Sequence, residues 1–122
     1  MAVHIHMEQL SPTGVTRRRG AEAFARLRAY LEQGAVDLSL LNIELVSASF
    51  LDEIVRQAAA LGAAEKLTFI TDQKSVVGKL ERISSIRGAR VFVQSPGDPA
   101  RRLLEPRTVR NEAKFSREKV PA

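Results

Sequence analysis

VDLSLLNIELVSASFLDEI, residues 36–54, is the stretch whose reading decides the fold. Residues 35–41 form an apolar run broken only by Asp37 and Ser39. Such a run predicts a central strand covered on both faces. Residues 42–46 extend it after a kink or bulge. Ser49, with Asp52 three positions on, has the capping-box spacing of a helix start and predicts Ser49 as the N-cap. From there Leu51, Ile54, Val55, Ala58 and Leu61 recur at helical spacing until Gly62 closes the segment.

Upstream, Val3, Ile5 and Met7 alternate with His4, His6 and Glu8, the period of a half-buried strand. The two histidines share one strand face. A pair without a third ligand nearby reads as solvent-facing, so no metal site is expected. After the turn residues 11–14, Thr16 has the place of an N-cap. Ala21, Phe24, Leu27 and Leu31 then make one apolar stripe, predicting a helix over 17–33 that stops at Gly34. Its first turn, Arg17-Arg18-Arg19, carries the wrong sign for the partial positive charge of a helix N-terminus. Either the arginines splay into water, or they hold an anion with the free N–H groups.

Downstream, residues 66–71 alternate with strand propensity. Asp72 is placed to cap a helix over about 73–87 that carries Val76, Leu80 and Ile83 inward and ends at Gly88. Residues 89–93 read as a further strand, and Pro96, Gly97 and Pro99 mark a boundary. These signals predict an α/β domain over 1–95, with a mostly parallel sheet of four or five strands and three helices. Residues 96–122 read as a loosely ordered basic extension with one short helix near 109–118. Its Leu103-Leu104 pair is a surface on which a second copy could pack to form a homodimer.

The totals narrow the function. The 122 residues suit one domain with a single core, and no apolar run approaches the ~20 residues of a membrane span. The N-terminus lacks a signal-peptide pattern, and the absence of cysteine excludes disulfides and thiolate chemistry. A cytoplasmic protein is expected. The net charge of +5 raises nucleic acid or another polyanion as a partner for Arg17–Arg19 and the tail. Residues 1–95 hold 12 Lys/Arg against 10 Asp/Glu, and residues 96–122 hold 7 against 4, so most of the excess sits in the tail. Aromatic residues are only 5%, too few for a base-stacking platform. There is no P-loop, dinucleotide fingerprint, nucleophile elbow or HExxH motif. Asp52 and Glu53, adjacent on a helix, point about 100° apart and make no acid/base pair. The expectation is a protein that is not an enzyme and uses no cofactor.

The order VDLS…VSASFLDEI, followed by a strand and a helix, resembles the core of STAS domains, the fold of bacterial anti-sigma factor antagonists. The likeness is closer to a divergent STAS-like group in which an Asp-apolar-Ser strand precedes a Ser-Phe-x-Asp-Glu helix start. Here those positions are Asp37, Leu38 and Ser39, then Ser49, Phe50, Asp52 and Glu53. The helix start from Arg17 to Gly20 fits the same pattern. The likeness spans about residues 14–94. It implies a non-enzymatic regulatory module for partner switching, whose partner is a histidine-kinase-type ATPase or anti-sigma factor. It further implies that Ser47, Ser49, Phe50, Asp52 and Glu53 bind that partner, with Ser49, or on a different gap Ser47, as phosphoacceptor. The chain departs from the antagonist pattern in lacking an Asp-Ser-Ser-Gly-Leu run. Asp52 and Glu53 would also repel a phosphate of about −1.5 to −2 charge, which favours an unmodified docking surface with Ser49 as a plain cap.

Overall fold

A computed structural model describes residues 2–104. In chain order the elements are β1 (Val3–His6), a 3-10 turn (Met7–Gln9), α1 (Arg17–Gln33), β2 (Val36–Ser39) and α2 (Ala48–Ala60). A second 3-10 turn (Ala64–Lys66) leads to β3 (Leu67–Ile70), α3 (Lys74–Arg87), β4 (Val91–Gln94) and β5 (Arg102–Leu104). The strands form one sheet in the order β1-β2-β3-β4-β5, with β1 to β4 parallel and β5 antiparallel to β4.

Each parallel step passes through a helix. Right-handed crossovers taken in simple sequence order put every helix on the same side of the sheet. Accordingly α1 packs on α2, and α2 on α3, in one layer. One side of each strand meets that layer: Ile5, Leu38, Phe69, Val93 and Leu104 are all buried in the core with Phe24, Leu27, Phe50, Ile54 and Leu80. Local chemistry sets the helix ends. The Thr16 hydroxyl accepts from the Arg19 N–H at 3.1 Å to open α1, and α3 stops where Gly88 turns left-handed at φ 63°. No helix among the described residues is long and apolar enough to cross a membrane.

Several expectations are corrected. β2 is an interior strand between β1 and β3 rather than the central one, and no helix among the described residues lies on its second face. There, register aligns His4, Asp37, Thr68, Phe92 and Leu103 in one row. Arg101 stacks 3.7 Å above the Phe92 ring and donates to the Thr68 hydroxyl at 3.1 Å. The rings of His4 and His6 meet edge to face at 5.0 Å on that face, and no group of three potential metal ligands occurs among the described residues.

Residues 42–46 do not prolong β2. Val46 makes only a lone parallel bridge to Gly14. Gln73 takes the N-cap place of α3 without a side-chain bond, so Asp72 is not its cap.

The boundary near residue 96 does not end the fold, because β5 joins the β4 edge. Leu104 is buried in the core, Leu103 is half-buried, and the Ser84 hydroxyl lies 2.7 Å from the Ala89 carbonyl and 2.8 Å from that of Leu104. The Leu103-Leu104 pair therefore packs within its own sheet instead of offering an exposed surface to a second copy. A strand of three residues is too short for alternation to reveal. The expected helix near 109–118 lies outside the described residues.

Candidate functional site

The start of α2 is held from three directions. The Ser47 N–H donates to the Gly14 carbonyl at 2.8 Å, and its hydroxyl donates to the Val15 carbonyl. The same hydroxyl accepts from the Phe50 N–H at 3.1 Å, while Lys79 on α3 donates to the Val46 carbonyl at 2.7 Å. Ser47, not Ser49, is thus the N-cap. The Ser49-Asp52 spacing loses to Ser47 because the β1–α1 loop fixes the Ser47 backbone in the extended conformation a cap needs, φ −89° and ψ 159°. Both capacities of the Ser47 hydroxyl are committed, so modifying it would uncap α2. Ser49 is the second helical residue. It is exposed, and its hydroxyl has no hydrogen-bond partner among the described residues.

The other residues of the motif face inward. Phe50 is fully buried, and Glu53 is 5% exposed. They meet α1 at Gly20, where a methyl group would stand 2.7 Å from the Phe50 carbonyl oxygen and 3.1 Å from Cβ of Glu53. The two helices cross here in backbone contact. Arg17, three residues before Gly20, reaches over the crossing to Oδ2 of Asp52 at 2.9 Å and Oε1 of Glu53 at 3.2 Å.

Asp52 also takes both prongs of Arg87, from the last turn of α3, at 2.5 and 2.6 Å. Glu53 takes Arg56 at 2.5 Å and the Gln57 amide at 2.7 Å. Three guanidiniums and two carboxylates thereby pin all three helices together.

This network answers the question raised by the arginines of α1. Arg17 pairs with Asp52 and Glu53, whereas Arg18 and Arg19 both pair with Glu22, at 3.6 and 3.0 Å. Carboxylates of the chain itself take the place of a bound anion, and the three guanidiniums do not converge on one site. Phe50 and Glu53, expected to meet a partner, are turned into the core and the network. Ser49 and the exposed Ala48 are the parts of the motif that face outward.

Hydrogen bonds from Arg56, and then from Gln57 and Arg17, hold the Glu53 carboxyl at about 2, below its ordinary 4.5 and against the opposing effect of burial. Arg87 likewise holds Asp52 below the usual range. A depressed carboxyl stabilises the fold fully above its unfolded value, and that contribution fades as pH falls toward 2. The guanidinium partners Arg17 and Arg56 are about half exposed, with side chains 49% and 47% accessible, which moderates the effect. Glu53→Gln is expected to lower stability at pH 7 by about 1–3 kcal/mol. It should also flatten the loss of stability between pH 4.5 and 2, as read from urea midpoints across that range. An unchanged acid limb would show that Glu53 does not carry the linkage.

Arg56 and Gln57 were legible as neighbours of Glu53 by their i+3 and i+4 spacing on one helix. Arg87 and Lys79 were not, since each acts on a residue more than thirty positions away. No protein-family model matches this chain, and neither curated proteins nor solved structures give a match.

Proposed function

We propose that this chain is a STAS-like regulatory module, without catalytic activity, that binds a protein partner at the mouth of α2, residues 47–53. Ser49 is the residue that switches it. One observation carries the reading: Ser49 stands exposed and unpartnered, among the described residues, on a rigidly held helix start whose neighbouring motif residues are committed to internal bonds. The repulsion expected from Asp52 and Glu53 is offset, because Arg17, Arg56 and Arg87 neutralise both acids. A phosphate on Ser49 would meet the partial positive end of α2 and one guanidinium in excess. The partner is a histidine-kinase-type ATPase acting in the cytoplasm. Polyanion binding through residues 17–19 is the weaker reading, since Glu22, Asp52 and Glu53 already engage those arginines.

Calorimetric titration with such an ATPase, and intact-mass spectrometry after adding ATP, test the proposal. Wild type and Ser49→Ala should bind, and Ser49→Asp should bind at least about tenfold more weakly, a difference of about 1.4 kcal/mol. One phosphate should appear on wild type and be absent from Ser49→Ala. No binding by wild type, equal binding by all three, or a phosphate retained in Ser49→Ala would sink it.

A further inference from the structure

The loops that follow β1 and β2 are laced together by the Gly14–Val46 bridge and the bond from the Ser47 N–H to the Gly14 carbonyl. Between them lies an open cleft of about 350 Å³, with walls of Pro12, Val15 and Leu45 and the buried Ile43 among its lining. Val15 is 41% exposed and Leu45 63%, which sets both apart from the buried apolar side chains of the core. Isolated exposed apolar residues need no explanation, but two on facing loops, over a lining that mixes Pro12 and Ile43 with Thr13 and Asn42, make a small anchor site for an apolar group with a polar flank.

The charge of the cleft is what identifies its occupant. The chain is +5 overall, yet no Lys or Arg lines this cleft, and its two ionisable residues are Glu8 and Glu44. Both are exposed. Among the described residues, Glu8 accepts only from the neutral Asn42 amide, at 3.2 Å, and Glu44 has no side-chain partner. This contrasts with the carboxylates of the α2 mouth, which are saturated by arginine. Acids that have no cationic partner among the described residues, set around a partly apolar cleft, repel nucleic acid and attract a cation attached to an apolar group.

We propose that the cleft between residues 12–15 and 42–45 anchors a segment of a protein partner that carries an apolar side chain flanked by lysine or arginine. This rests on the reading of the α2 mouth as the partner face, and names the chemistry that face selects.

The full, ¹⁵N-labelled chain would be titrated with acetyl-Lys-Leu-Leu-Lys-amide, and in parallel with acetyl-Glu-Leu-Leu-Glu-amide and acetyl-Lys-Ser-Ser-Lys-amide. The basic, apolar peptide should shift the amides of Gly14, Val15, Glu44 and Leu45 in a saturable way, and bind about tenfold more tightly than either control. Leu45→Ser and Glu44→Lys, each with an unchanged unfolding midpoint, should abolish the response. An equal response to the acidic peptide, shifts confined to other surfaces, or no shift at all would overturn the inference. Because no ATPase is present, failure here with ATPase binding intact removes only the cleft. Loss of the Ser49 effect with peptide binding intact removes only the switch.

Discussion

Replacing Phe50 with alanine is expected to destabilise the fold by about 3–5 kcal/mol, the range for removing a large buried aromatic side chain. Phe50 has no exposed surface and packs in the core from the first turn of α2, beside the point where α1 crosses. A domain of this size has a total stability of about 5–15 kcal/mol, so the variant should keep only part of its cooperative transition. Urea unfolding followed by circular dichroism measures this directly. A loss below about 1 kcal/mol would mean that Phe50 is not core. The distinction matters for testing the proposed partner binding, because Phe50→Ala would also abolish it, but through unfolding. Ser49 is exposed, so its variants are the proper probes of the proposed docking.

Gly20→Ala should destabilise by about 1–3 kcal/mol, although the same change in an open helix is expected to stabilise. Alanine exceeds glycine in helix propensity by about 0.8–1 kcal/mol. At Gly20 the new methyl group would stand 2.7 Å from a backbone oxygen of α2, which cannot swing aside as a side-chain tip can. At Gly78, inside α3, an added methyl group would meet nothing within 4 Å, so Gly78→Ala should raise stability by roughly 0.5–1 kcal/mol. Opposite signs for the two substitutions, read from urea midpoints, are the expected result. Equal gains would show that α1 and α2 do not meet as closely as described. The slope of the transition should stay constant in both variants, since neither changes the surface exposed on unfolding.

Arg17, Gly20, Phe50, Asp52 and Glu53 form one joint where α1, α2 and α3 meet. Gly20 brings the helices close, Phe50 fills the space beneath, and the charged pairs span the crossing. Such a joint holds the mouth of α2 from within and leaves Ser49 and Ala48 as its outward-facing residues.

Sequence alone determined the features whose chemistry is local. Thr16 and Gly34 set both ends of α1, Gly88 ended α3, and short apolar runs between helical stripes announced a parallel α/β sheet. Each depends on groups within about one turn of each other, or on an alternation repeated often enough to read. Tertiary structure decided the rest. Ser47 outcompeted Ser49 as cap because the β1–α1 loop held its backbone, a contact 32 residues distant for the hydroxyl. Asp52 chose Arg87 from a chain that offered 19 basic residues, a choice no spacing encodes. β5 emerged only because β4 presented a free edge to it. Local propensities are written along the chain. Which cap, which ion pair and which strand edge prevail is settled only once distant segments share the same space.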